Sequence, residues 1–194
     1  MSELIYETIV TTLNDDGSTH VAPFGVRERD GRVLIAPFRP SVSLNNLLRE
    51  KSAVLNLTDD VRVFAGSLTG HRDWATRQAE TINGRILEGS LAHRELRLLE
   101  VVEDAMRPQL FFEVVHENNH LPFRGFNRAQ AAVVEASVLV SRLHMLPLDR
   151  IDAEVQYLAI AMEKTAGERE WQAWGWLMEK IENFRAEQVG GNQA

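Results

Sequence analysis

An α+β fold, strand-rich in front and helical behind, is what this sequence predicts, and two contrasts carry that reading. Over residues 4–66 and again over 110–115, β-branched and aromatic runs are punctuated by Asn-Asp-Asp-Gly and Asp-Gly turns, the pattern of short strands in a meander. From Asn127 onward the apolar residues recur every three or four positions instead, the period of amphipathic helices. The 194 residues, 44% of them apolar, suffice for one core plus an appendage without covalent staples.

The first strand is predicted at residues 5–12, Ile-Tyr-Glu-Thr-Ile-Val-Thr-Thr, and the turn Asn14-Asp15-Asp16-Gly17 returns the chain into a second strand at 20–26. Asp30-Gly31 makes the next turn, and residues 32–37 make a third strand. After Pro40, serines at a helix start and a short apolar stripe predict a helix over 41–50. Residues 52–57 read as a buried strand, and residues 59–64 open a further element. Residues 67–90 carry few apolar residues and read as irregular with some helix, while 92–97 fits either an irregular strand or a short helix. Leu110-Phe111-Phe112-Glu113-Val114-Val115 is a strand that Asn118-Asn119 ends.

Asn127-Arg128-Ala129-Gln130 resembles a capping box, and Ala129, Ala132, Val133, Ala136, Val140 and Leu143 stripe the helix behind it. Pro147 interrupts that pattern. Ile151, Val155, Leu158, Ala159 and Met162 stripe a second helix that Gly167 is expected to cap, and Trp171, Trp174, Leu177, Ile181 and Phe184 stripe a third. At helical spacing such aromatics are core or subunit interface rather than a cofactor box. The expected organisation is a β domain over 1–126, a helical subdomain over 127–188 and a flexible tail over 189–194.

A formal charge of −7, with arginines scattered singly, opposes binding to nucleic-acid backbones. The absence of cysteine removes disulfides and thiolate chemistry and fits a reducing compartment. No basic segment followed by an apolar run opens the chain, and no apolar run approaches the roughly 20 residues of a membrane span. The expectation is a cytoplasmic protein that does not enter membranes.

A small anion is compatible with this charge if local donors hold it. Arg39, Ser41, Ser43 and Asn46 offer a guanidinium, two hydroxyls and an amide at a helix start, where free N–H groups and the helix dipole add to them. Taken alone, the serines equally well read as a simple cap.

The order of these segments carries more than any one of them. Residues 7–12, Asp16-Gly17, Ala22-Pro23-Phe24-Gly25-Val26, Pro37-Phe38, Ser41-x-Ser43-x-x-Asn46-Leu47 and Asn56-x-Thr58-Asp59-Asp60-Val61-x-x-Phe64 together resemble the DUF447 family of the FMN-binding split-barrel superfamily. The resemblance continues through Phe126-Asn127-Arg128-Ala129, Val134-Glu135-Ala136, Ser141-Arg142-Leu143 and Glu163-Lys164-Thr165. It implies an FMN-binding split β-barrel with a C-terminal helical subdomain, one FMN per site near a homodimer interface, and a flavin reductase-like oxidoreductase whose electrons come from a nicotinamide or another small redox partner. The alternative it leaves open is a non-catalytic module for a flavin, pterin or deazaflavin, with the helical extension building the dimer or docking a partner.

By position, the resemblance puts Arg39, Ser41, Ser43 and Asn46 at the flavin phosphate. It puts Thr8, Val10, Thr11 and Thr12, with Ala22, Pro23, Phe24 and Gly25, against the isoalloxazine ring, and Asn56 near the ribityl chain or ring. Each also has a plainer reading. Threonines are good strand residues, and Pro23 and Gly25 shape strand bends. A buried amide at Asn56 must be bonded to something, which favours a ligand.

Other chemistry reads weakly. His116-Glu117-Asn118-Asn119-His120 matches H-E-x-x-H, but it follows a β-rich run, holds two turn-favouring asparagines and precedes Pro122 closely, so a zinc-binding helix is not expected there and no metal site is assigned. His71 and His93 lie in polar segments and read as surface residues. Glu7 and Glu135 interrupt apolar patterns and read either as buried carboxylates with a functional role or, the favoured reading, as carboxylates paired structurally with arginines. No Gly-x-Ser-x-Gly elbow and no phosphate loop are present.

Overall fold

The structure is a computed structural model describing residues 3–191. The chain divides into two compact units, Met1–Asp59 with Asp73–Phe123, and Asp60–Arg72 with Arg124–Ala194.

The first unit is built on a closed antiparallel barrel of strands β1 (Tyr6–Leu13), β2 (Thr19–Arg29), β3 (Arg32–Ile35), β4 (Ser52–Leu57), β7 (Ala92–Val102) and β8 (Gln109–Asn119), ordered β1-β2-β3-β8-β7-β4. Pairing of Ile9, Val10 and Thr11 with Asn56, Leu55 and Val54 closes it. Asp30 and Gly31 both take positive φ, 53° and 74°, which is the two-residue hairpin geometry whose twist matches the strands it joins. Side chains of alternate residues fill the interior: Val10, Val26, Val33, Ile35, Leu55, Leu96, Leu110 and Phe112 form one cluster, and Leu44 and Leu47 of helix α1 (Val42–Glu50) join it.

The outer face of β1 and β4 is covered by a small hairpin, β5 (Thr76–Gln78) with β6 (Arg85–Leu87). Ala79, Ile82 and Ile86 pack there on Val54. The sequence reads this stretch as irregular because its three-residue strands are too short for a periodic apolar signal. Distant residues hold it: Leu87 N–H donates to Asn56 Oδ1 at 2.8 Å, Thr11 Oγ1 donates to the Arg85 carbonyl, and Glu95 receives three N–H groups of the turn. Of the two readings for residues 92–97 the strand is the one present: β7 runs on to Val102, and its ladder with β8 shifts register twice. Strand β8 bulges at Val115, opposite the Glu95–Leu96 step, and β7 bulges at Leu99; His93 and Glu95 face outward under the hairpin while Leu96 faces the core.

The second unit contains α2 (Arg62–Thr69), α3 (Arg128–Val140), a 3-10 turn (Leu143–Met145), α4 (Leu148–Thr165) and α5 (Glu168–Gly191). Residues 62–66, read from the sequence as part of the strand-and-turn region, are helical. Val61 and Val63 suggest strand, yet Val61, Ala65 and Leu68 recur at helical spacing and pack with Ala132, Val133, Ala136, Trp174 and Leu177. On α5 the buried stripe is Ala173, Trp174, Leu177 and Ile181, while Trp171 is 46% exposed. Gly167 does not cap α4, whose cap is the extended Ala166. Its N–H instead donates to Glu170 Oε2 at 3.0 Å at the start of α5. Glu135 and Glu7 are both exposed, so neither is the buried carboxylate their apolar surroundings suggest. Helix α5 continues to Gly191, and the last three residues of the expected tail lie outside the described residues.

Asn127 caps α3 as read: its Oδ1 accepts from Ala129 N–H at 2.8 Å and Gln130 N–H at 3.1 Å. The reciprocal half of a capping box is replaced, because Gln130 Nε2 donates to Glu170 instead. Asn127→Ala is expected to destabilise the helical unit by about 1–2 kcal/mol, read as a fall of a few degrees in its thermal midpoint. Among the described residues no helix is long and apolar enough to cross a membrane.

Candidate functional site

The start of α1 and the end of β1 meet in a polar network. Ser41 is extended (φ −153°, ψ 148°) and its Oγ accepts from Leu44 N–H at 3.2 Å, so the serine does cap the helix. Ser43 and Asn46, one helical turn apart, are both buried. Asn46 Nδ2 donates to Thr12 Oγ1 at 3.1 Å and to Asn14 Oδ1 at 2.9 Å, which ties the helix to the first hairpin. His20 Nε2 and Ser43 Oγ share a hydrogen bond of 2.9 Å. No acidic residue occupies the first turn of α1, so its dipole and its remaining N–H groups are available to an anion.

Thr12, Ser43 and Asn46 are thus brought together, and two residues that sequence reading does not select join them. His20 stands opposite Thr12 in the β1–β2 register, and Asn14 opens the intervening turn. Counting residues back across the Asn14–Ser18 turn finds His20, so its signal was present in the hairpin spacing. Arg39 is drawn elsewhere: its Nη2 pairs with Glu103 at 2.6 Å and its N–H donates to the Met106 carbonyl. Beside it, Phe38 lies under the Arg107 guanidinium at 4.7 Å.

The proposed ring-facing residues divide between two faces of the sheet, as the two-residue period of strands requires. Thr8, Val10 and Thr12 pair with Phe24, Ala22 and His20 on the inner side, where Val10 and Phe24 belong to the barrel core. Thr8 Oγ1 is bound to the Phe24 carbonyl at 2.9 Å. Thr11, Pro23 and Gly25 lie on the outer side. The hairpin covers Thr11, whereas Ala22, Pro23, Phe24 and Gly25 are only half-buried. A Cβ at Gly25 would stand 2.8 Å from Ile5 Cγ2, so the strand end of β1 packs closely over that glycine. One planar ligand on a single face of the sheet therefore cannot take side-chain contacts from both sets.

Asn56 is fully buried and fully bonded within the protein. Its Nδ2 donates to the Ile9 and Val54 carbonyls and to Thr11 Oγ1 at 3.2–3.3 Å, and its Oδ1 accepts from Leu87 N–H. With Thr11 it is the strut between the barrel and the β5–β6 hairpin.

A second polar cluster lies under the same hairpin. His93 and Glu95 of β7 are both completely buried, contrary to the surface position the sequence suggests for His93. The β-ladder is the reason: His93 and Glu95 stand opposite Asn118 and His116, and the hairpin covers that face. His116 and His120 lie along β8 and its end rather than on a helix. Glu95 Oε1 accepts from Glu80 N–H at 2.6 Å, and Oε2 accepts from Thr81 and Ile82 N–H at 2.7 and 2.9 Å. Burial would raise its pKa, but these three donors outweigh that and hold the carboxyl below its ordinary range. Burial holds His93 below its ordinary value against the pull of Glu95, and burial with the nearby Arg77 does the same to His120. His71, by contrast, is exposed and stacks on Trp176 at 4.0 Å between ring centroids.

Comparison with known proteins agrees with the residue pattern. Residues 6–120 match the family model described as the N-terminal domain of a protein of unknown function, DUF447, and residues 127–179 match the DUF447 model for the following region. No curated protein sequence matches the chain. Among solved structures, an FMN-bound DUF447 protein from Methanosarcina mazei superposes with a TM-score of 0.78 at 19% identity, over 92% of this chain and 96% of that one. The 2-nitrobenzoate 2-nitroreductase of Pseudomonas fluorescens gives 0.52 at 19% identity, over 62% of this chain and 66% of that one. An FMN-binding protein from Thermus thermophilus with bound cyclohexenone gives 0.50 at 17% identity, over 58% of this chain and 69% of that one. The fold is the α+β FMN-binding split barrel with a C-terminal helical region.

Proposed function

The chain belongs to the DUF447 family, and from that membership we propose that it binds FMN and works as a flavin reductase-like oxidoreductase in a homodimer. The observation that carries this reading is the polar network at the α1 start. It sets a hydroxyl, an imidazole and an amide beside a helix N-terminus free of acidic residues, in a chain of net charge −7. With the Asn46 amide bound to Thr12 and Asn14, the serine hydroxyls and the remaining helix N–H groups are the donors that suit a phosphate.

In this reading Ser41 and Ser43 offer hydroxyls to the phosphate, and His20 holds the Ser43 hydroxyl in place. Asn46 fixes the helix start against β1, and Arg39 adds charge by exchanging Glu103 for the anion. The ring lies along the half-buried Ala22–Gly25 stretch of β2. The β1–β4 ladder covers only Ile9–Thr11, so the strand edge at Thr8 lies beyond it and offers backbone groups to the ring's pyrimidine edge. Asn56 acts at one remove, by holding the wall against which the site is built. Flavin would supply the two-electron chemistry, and the protein would supply binding, orientation and exclusion of water.

Leu4, Ile5, Tyr6, Phe38 and Val42 are large apolar side chains left 46–68% exposed on the barrel unit. Such surface suits a second copy of the chain, and the flavin would lie close to that contact. The flavin-binding part is assigned to residues 1–126 and the helical subdomain to 127–188.

Purified protein is expected to carry, or to take up stoichiometrically, a flavin with the visible band of the oxidised ring, and to elute at the mass of a dimer. Anaerobic NADH or NADPH should bleach that band. Flavin inert to both nicotinamides would reduce the reading to a binding module, and failure to take up FMN would overturn it. Ser43→Ala is expected to raise the FMN Kd about tenfold, the loss of roughly one hydrogen bond to a charged group. Fluorescence titration checks this.

A further inference from the structure

The cluster beneath the β5–β6 hairpin contains more acceptors than donors, and the imbalance can be traced atom by atom. Arg77 only donates, and its Nη2 lies 3.1 Å from His120 Nε2, so that nitrogen is an acceptor. His93 Nδ1 lies 2.8 Å from the same atom, so it carries the proton between them and shares the one Nε2 lone pair with Arg77. A neutral His93 is then protonated on Nδ1 and bears a lone pair on Nε2. This Nε2 is buried without a hydrogen bond, in a residue with no exposed surface, and it faces the acceptor-only Glu95 Oε1 at 3.4 Å. His116 Nε2 is likewise buried without a hydrogen bond, 3.2 Å from Glu80 Oε2. Ligand atoms of Glu80, His93 and His116 all lie within 4.8 Å of one another.

We propose that Glu80, His93 and His116 form a divalent metal site of the zinc class, bridging the β5–β6 turn to strands β7 and β8. Two imidazoles and a carboxylate are borderline ligands suited to Zn²⁺. Bonds of about 2.0–2.2 Å in a tetrahedron put neighbouring ligand atoms roughly 3.3–3.5 Å apart. The His116–Glu80 separation of 3.2 Å is already near that value, and the His93 nitrogen lies within 4.8 Å of both. Glu80 and Glu95 together carry the charge that balances a dication. His120 is a positioning residue, since by accepting the Nδ1 proton it fixes the His93 tautomer that leaves Nε2 free to ligate. Three protein ligands leave one position for water or a small anion.

Of the H-E-x-x-H run only His116 is a ligand, while His120 orients His93; the other two ligands come from β7 and the hairpin turn. The proposal is independent of the flavin reading, because it rests on residues under the hairpin and not on the α1 network.

The test uses the full chain, stripped with chelator and dialysed, then exposed to Zn²⁺ alone. One equivalent of zinc is expected by elemental analysis, and Co²⁺ should produce the visible absorption of a low-symmetry four-coordinate site. Glu80→Gln and His116→Ala lie at partly exposed side chains and leave the β-ladder intact. Each should weaken zinc binding at least about a hundredfold, and His120→Ala about tenfold, while His71→Ala should have no effect. Circular dichroism of each variant confirms that it is folded. Absence of bound zinc in the parent chain, or parent-like affinity in both Glu80→Gln and His116→Ala, would overturn the assignment.

Discussion

Replacing Asn46 by aspartate is expected to raise the Kd for FMN about a hundredfold while leaving the barrel folded. The two side chains have the same shape, and both partners of Asn46 can adapt. Thr12 can turn its hydroxyl to donate, and Asn14 can present its amide N–H in place of its oxygen. The change is therefore mostly one of charge. A carboxylate about 5 Å from a phosphate costs roughly 3 kcal/mol at an effective dielectric of 20, which is the hundredfold. Asn46→Ala removes both bonds but adds no charge, and a loss of about tenfold is expected. The gap between the two variants should narrow as salt is raised, because a half-open site is screened. Fluorescence titrations at two ionic strengths measure this. Equal affinities for the two variants would mean that the phosphate is not at the α1 start.

Glu95→Ala should produce the largest loss of stability, about 3–5 kcal/mol. Three backbone N–H groups of the 80–82 turn end on this one buried carboxylate at 2.6–2.9 Å. A hydrogen bond to a charged group contributes about 1.5–3 kcal/mol, and losing the acceptor leaves all three donors facing a cavity. Water entering that cavity recovers part of the cost, so the sum is not reached. At roughly 2–4 °C per kcal/mol for a chain of this size, the barrel transition should fall by about 10 °C. Hydrogen exchange at the amides of Glu80, Thr81 and Ile82 should accelerate most. Glu95→Gln should show about half the loss, since one oxygen still accepts while its NH₂ is set against an N–H donor. Unchanged exchange at those amides would show that the hairpin is anchored elsewhere, at Asn56 and Thr11.

Much of the candidate flavin site was legible because it is local. Ser41, Ser43 and Asn46 lie within one helix start, and their residue types together with Pro40 announce a cap and an anion-ready terminus. His20 was legible in principle, since the hairpin register puts it opposite Thr12. The Arg39–Glu103 pair is not legible, because Glu103 is remote in sequence and only the folded chain brings it to the guanidinium. The sequence marks Asn56 as a buried amide that needs partners, and the fold supplies them from Ile9, Thr11, Val54 and Leu87.

The sequence by itself determined the α+β division, the first meander, the α1 cap and the three C-terminal helices, because each follows from a period, a cap or a turn spanning a few residues. Tertiary structure alone decided the β5–β6 hairpin, the burial of His93 and Glu95, and the meeting of Glu80, His93 and His116. Short polar strands have no pattern of their own, and their stability comes from acceptors and donors on strands far away in the chain. A buried charge likewise looks like a surface charge in sequence until the element that covers it has been placed.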